Sequence, residues 1–308
     1  MGVLLGLLSA LAYGTSDFIA GAAARRGDPG AVAAVAQPAG IVAAGLAVIV
    51  LRAHAPSASA LWWGALSGIG TGAGTMALYW GLSVSRMSIV APISGVLTAG
   101  LPALTGALIG QHLSALAWAG VAAGIPAVAL VSAQPGDGAG DRSRRDGVLA
   151  GLMAGGGFAL LFIALDRAGT QAGAWPLLPG QVLGTVLIWA WLIPARNRPR
   201  RQAWGPSWRY GVIAGVVGGT ANLLYLAATG AGQLAVVAVV TALYPAVTIL
   251  LARFVFRERW SVVQVAGLVV SVFAVVAVSV GLKLSKPDKS SFNTIVTERS
   301  MASAPEPV

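Results

Sequence analysis

Cysteine is absent from this sequence, which removes disulfides, thiolate metal sites and thiol nucleophiles without fixing the compartment. Charge is almost as scarce. Asp, Glu, Lys and Arg make up 10% of the 308 residues, against 56% hydrophobic, too few to give an ordinary aqueous surface, so the chain is an integral membrane protein. The two histidines, His54 and His112, sit at the ends of apolar runs, and there is no His-Glu-x-x-His. Paired acidic residues inside the apolar runs are missing too, which leaves an intramembrane lipid-modifying enzyme or protease without its usual groups. Neither Gly70-x-Gly72 nor Gly155-Gly156-Gly157 is followed by Lys-Ser/Thr, so no phosphate loop exists and ATP-driven transport by this chain alone is excluded. No metal, cofactor or catalytic residue is expected.

What is present is apolar sequence in membrane-length pieces. A spanning helix needs about 20 mostly apolar residues. Such runs cover 3–24, 30–51, 61–83, 88–110, 114–133, 147–166, 173–194, 210–229, 233–256 and 260–282. They stay apolar instead of alternating, which argues against a barrel. The expected fold is therefore all-α, with ten transmembrane helices in a multi-pass protein of the plasma (bacterial inner) membrane. The first run is longer than a signal h-region and has no basic leader, so it reads as a retained helix. Residues 134–146 form a polar linker with Arg142, Arg144 and Arg145, and 283–308 a Ser-, Pro- and Lys-containing tail expected to be disordered.

The two halves, 1–133 and 147–282, repeat one another. One constant shift brings Gly64, Gly68 and Gly72 onto Gly211, Gly215 and Gly219, Ser114 onto Ser261, and Gly120 onto Gly267. A slightly smaller shift brings Gln37-x-x-Gly40 onto Gln181-x-x-Gly184. Each half has an odd number of spans, so the second enters the membrane the other way up. Inverted repeats of this kind build alternating-access carriers with a midplane site. Both repeats are in one chain, so a monomer is sufficient and a dimer compatible.

The formal charge of +10 comes from arginines between spans and sets topology; no nucleic-acid partner is implied. Loops after the first, third, fifth, seventh and ninth runs hold most of them, including Arg196, Arg198, Arg200, Arg201 and Arg257. The positive-inside rule makes that face cytoplasmic and both termini external.

Ser88-Ile-Val-Ala-Pro-Ile-Ser-Gly95 resembles the start of the fourth helix of EamA-type drug/metabolite transporters. Thr241-Ala-Leu-Tyr-Pro-Ala-Val-Thr248, followed by Arg257-Glu-Arg-Trp-Ser261, Gln264 and Gly267, resembles the family's closing motif. The resemblance covers residues 1 to 282 and implies ten helices as five plus five, with a small-molecule substrate. Gln111 stands where the family has Glu, and Arg257 where it has Gly; Glu258 is read as structural. Members more often keep both termini cytoplasmic, against the charge pattern here.

Polar residues inside the spans are the site candidates. Asp17 is the one acid well inside a run, where a charge costs on the order of 2.5 to 3.5 kcal/mol. It is a proton-coupling or cation-binding carboxylate, or a buried partner of Ser16, Thr15 or Arg86. Gln37 and Gln181 are matched amides that would line a cavity from both sides or glue helices together. Tyr79, Trp80, Asn222 and Tyr225 fall in matched runs; aromatics with polar tips suit an amphipathic or cationic organic substrate. Ser94 and Thr98 stack one turn apart, as do Thr241 and Pro245, and Pro92, Pro102 and Pro245 mark broken, cavity-lining helices or fixed kinks. The leading reading is a secondary carrier, outward in direction, of a metabolite, amino acid-like compound or drug, with protons as a second partner beside lipid. The alternative is a membrane scaffold or sensor whose tail binds a partner.

Overall fold

A computed structural model describes residues 1–51, 55–109, 113–132, 141–168, 173–192, 208–231, 244–257 and 261–285. These residues form ten helices and no strand: α1 Gly2–Ala24, α2 Pro29–Leu51, α3 Ala58–Val84, α4 Met87–Leu108, α5 Ala115–Ser132, α6 Asp141–Ala168, α7 Leu177–Leu192, α8 Trp208–Ala231, α9 Tyr244–Val255 and α10 Val262–Ser285. The helices stand close to the ten apolar runs, with two corrections. Asp141 already opens α6, so 141–146 is helical instead of linker, because the Ser143 hydroxyl donates to the Val84 carbonyl at 2.7 Å and fastens that turn to the end of α3. α10 continues to Ser285, three residues into the segment read as tail; 286–308 lie outside the described residues.

Gly2–Ala24, Pro29–Val50, Met87–Leu108 and Arg142–Leu165 are long and apolar enough to cross a bilayer. The shorter apolar helices include Leu177–Leu192 and Tyr244–Val255. α3 has 27 residues but is diluted by Gly64, Ser67, Gly68, Thr71 and Thr75, which are buried inside the bundle. Large apolar side chains point outward instead: Trp62, Ile49 and Phe254 are each more than 70% exposed, a surface suited to lipid.

Starts and breaks follow local chemistry. Asp28 Oδ1 accepts from the Gly30 and Ala31 amides at 2.8 and 3.1 Å, just ahead of Pro29 at the first position of α2. Ser57 caps α3, and Ser114 caps α5 through the Ala117 amide while donating to Gly281 O at 2.8 Å, which ties α5 to the end of α10. Pro38, inside α2, cannot donate to the Ala34 carbonyl four residues back. The Trp189 indole of α7 does so instead, at 3.1 Å.

Packing follows an exchange rule. α1 lies on α8 as α3 lies on α6, α2 on α8 as α3 on α7, and α1 on α9 as α4 on α6. α2 with α7, α4 with α9 and α5 with α10 each pair with their own counterpart. Small residues let the backbones touch. A methyl at Gly68 would lie 2.5 Å from Gly180 O, and one at its repeat partner Gly215 would lie 2.5 Å from Ala36 O, the position matching Gly180. Gly64 against Pro176 and Gly211 against Val32 repeat the relation. Within halves the rule fails: α1, α2 and α3 pack on one another and α4 on α5, with no comparable packing among α6, α7 and α8, or of α9 on α10, among the described residues.

Overpacking a tight interface costs about 1 to 3 kcal/mol. Gly68→Val and Gly215→Val should each lower detergent-solubilised stability by that amount in a thermal or denaturant melt. Gly45, with no neighbour within 4 Å, should tolerate Ala and gain up to about 1 kcal/mol of helix propensity.

Candidate substrate site

The site grows from α1, which runs among α3, α8 and α9. Tyr13 and Asp17 are one turn apart and share a face. α1 comes close to α9 because of Gly14: a methyl there would lie 2.5 Å from Tyr244 O and from Val247 Cβ. The Thr248 hydroxyl donates to Gly14 O at 3.1 Å across the same contact. That approach seats the Tyr244 ring against Tyr13, with centroids 6.0 Å apart and planes tilted by 55°.

Asp17 lies within electrostatic range of Tyr13, Tyr79 and Tyr244, and Tyr225 within range of Tyr13. Tyr13, Tyr79 and Tyr244, from α1, α3 and α9, thus gather around Asp17, and Tyr225 of α8 adjoins Tyr13. Tyr79 is buried, while Tyr13, Asp17, Tyr225 and Tyr244 keep partial exposure deep in the bundle, as walls of an internal space do. Ser16, a hydrogen-bond partner considered for Asp17, turns instead to α8 and donates to Ala214 O at 2.8 Å. A carboxylate attracts a cationic group electrostatically, and tyrosine rings close by add the attraction of their quadrupoles wherever a face is presented.

Of the sequence candidates, Asp17, Tyr79 and Tyr225 come together. Trp80, next to Tyr79, points about 100° away around α3. Gln37 and Gln181 lie on α2 and α7, which pack together, and Gln181 packs on Gly40, one turn beyond Gln37: a methyl there would lie 2.8 Å from its Oε1. Gln37 Nε2, Gln181 Oε1, Ser94 Oγ and Thr98 Oγ1, together with Ser85 Oγ at the end of α3, are buried with no hydrogen-bond partner among the described residues; the first four belong to residues already suspected of lining a site. Pro245 faces away from the tyrosines into an apolar groove of about 330 Å³ between α4, α9 and α10. Thr241 and the Asn222 side chain lie outside the described residues. Tyr13 and Tyr244 were not candidates by sequence. Tyr13 carries a signal in its spacing of four from Asp17; Tyr244 is brought in by tertiary packing alone.

At one end of the site the helices are tied by a clamp that the sequence does not announce. Arg25, just past α1, donates from Nε to Leu82 O and from an Nη to Ser85 O, both at 2.9 Å, so it caps α3. Its guanidinium lies 4.4 Å from the ring centroid of Phe256, at the end of α9. Phe256 in turn packs on Phe18 at 5.3 Å, one residue from Asp17.

Residues 146–280 match the EamA-like transporter family. The second half of the chain is EamA-like. The match takes in α6 to α10 almost whole and agrees with the motifs at Thr241–Thr248 and Ser261. Over these residues the chain is similar to EamA-type transporters, and its apolar helices make it a multi-pass membrane protein. No curated protein matches it.

The clamp has a measurable consequence. Hydrogen bonds to a charged group contribute about 1.5 to 3 kcal/mol, and 1.4 kcal/mol is tenfold. With Tyr13→Cys as the lone thiol of the chain, Arg25→Gln should speed labelling from the arginine-rich side by about tenfold or more. An unchanged rate would mean that Arg25 does not close this end.

Proposed function

We propose that the chain is a ten-span secondary carrier made of two inverted five-helix repeats, 1–133 and 147–282, that exports a small organic compound bearing a cationic amine. Asp17 is the coupling carboxylate in this reading, binding either the substrate cation or a proton in alternation. The gathering of Tyr13, Tyr79 and Tyr244 around Asp17, with Tyr225 beside Tyr13, carries the proposal. Amino acid-like compounds and organic cations both offer the required amine.

Inversion is supported by where the repeated contacts fall. Gly64 is near the start of α3 and Pro176 just before α7, whereas Gly211 and Val32 are near the starts of α8 and α2. If successive helices cross the bilayer, the two contacts lie on opposite sides. Alternating access is supported by the broken symmetry within halves. α1, α2 and α3 are drawn together and the Arg25 clamp is made at the arginine-rich end, while α6, α7 and α8 show no comparable packing among the described residues. Carriers with inverted repeats reach their second state when the halves trade conformations. The positive-inside rule would make the clamped end cytoplasmic and this state outward-open.

The test is substrate-dependent current in proteoliposomes under an imposed pH gradient, screened against amino acids, nucleosides and organic cations. The parent should respond to amine-bearing compounds, and Asp17→Asn should lose the gradient-driven response. Tyr79→Phe and Tyr244→Phe should keep the apparent affinity within about threefold, while the Ala variants weaken it by about 2- to 30-fold, the span of 0.5 to 2 kcal/mol given to one cation–π contact. A response confined to neutral compounds, or untouched in Asp17→Asn, would overturn the assignment.

A further inference from the structure

The groove between α9 and α10 takes no part in the tyrosine site, yet its shape and its two ends identify an occupant. Pro92 of α4 is at its floor, and Ala246, Leu250, Val265, Val269 and Val272 are among its walls. Leu250, Val265, Val269 and Val272 are 38 to 64% exposed, so the groove opens sideways, toward lipid. It stands where the exchange of halves fails: α4 packs on α5, while its counterpart α9 leaves α10 standing off among the described residues.

Length and charge narrow the choice. The α10 wall runs from Val265 to Val275, about 15 Å at 1.5 Å per residue. That is half of a hydrocarbon core about 30 Å thick, the depth of one leaflet. Ala246, Leu250 and Arg253 recur at helical spacing on one face of α9, so the groove's stripe ends on an exposed arginine. Exposed Arg257 follows at the turn, with a positive φ of 52°, and Arg259 lies in the same short connection beside a single acid, Glu258.

We propose that this groove binds one anionic phospholipid of the adjoining leaflet, an acyl chain along the Val265–Val275 wall and the phosphate at Arg253 and Arg257. Arginines at a membrane surface each favour anionic lipid. A zwitterionic headgroup supplies the same tail but brings its own cation to the arginines, so the site discriminates by headgroup while holding by chain. The seated chain props α9 away from α10 on the face opposite Tyr244.

Native mass spectrometry of the full chain, released from nanodiscs of phosphatidylglycerol and phosphatidylcholine in equal amounts, tests this. The parent should retain one phosphatidylglycerol, at least about tenfold over phosphatidylcholine. Arg253→Gln with Arg257→Gln should abolish that preference but not the retained lipid; Val272→Trp should abolish retention of both. Equal retention of the two lipids by the parent, the same phosphatidylglycerol retention in all variants, or a lipid-free dimer would overturn the proposal. Should Val272→Trp fail to fold, phosphatidylglycerol with a photoreactive acyl chain decides it on the parent. Crosslinks within 265–275 support the site, and crosslinks elsewhere sink it.

Discussion

Hydrocarbon offers no hydrogen bonds, and this one constraint organises the molecule. Every polar group carried into the bilayer must find a partner within the protein. Hydroxyls of Ser67, Thr71, Thr185 and Ser271 return to carbonyls three or four residues earlier on their own helices. Ser9, Ser16 and Thr248 instead reach the backbone of a neighbouring helix and lock the α1–α8 and α1–α9 contacts. Against these pairings, the bare polar atoms of Gln37, Gln181, Ser94 and Thr98 stand out among the described residues, since a buried unsatisfied group costs about 1 to 3 kcal/mol.

The same constraint explains why the core is made of small residues and the surface of large ones. Without a hydrophobic gain from burying a leucine away from lipid, helices associate through backbone contact. Ala33, Ala34, Ala214 and Ala221 are buried, as are the glycines of the α2–α8 and α3–α7 contacts. Each such contact joins one half to the other, so the halves interlock. Apart from Asp17, charge in the described helices is confined to their ends, where Arg25 joins the last turns of α1 and α3 to Phe256.

Much of this was legible in the sequence. The apolar runs located ten helices because a spanning segment has a fixed length, and the repeated glycines marked the backbone contacts because only a missing side chain permits them. The ends of α6 and α10 were misjudged, since helix can continue past the apolar run when a side chain such as Ser143 fastens it. For the candidate site, Asp17 stood out by the cost of its charge, and Tyr79 and Tyr225 by their place in matched helices. Tyr244 was not, because nothing in a one-dimensional pattern reports that Gly14 opens room for α9 to approach. Arg25 was hidden for a similar reason: loop arginines look alike until their hydrogen bonds are seen.

The Trp189–Ala34 hydrogen bond has a mechanical meaning. Pro38 leaves α2 with a missing rung where it crosses α7, and α7 supplies the rung from outside. α2 and α7 are counterparts, so any rearrangement that swaps the postures of the two halves carries this crossing onto itself. A strut that spans a soft spot at such a place braces it: the carbonyl that Pro38 strands is held by a side chain of the other half, so the integrity of α2 there depends on α7.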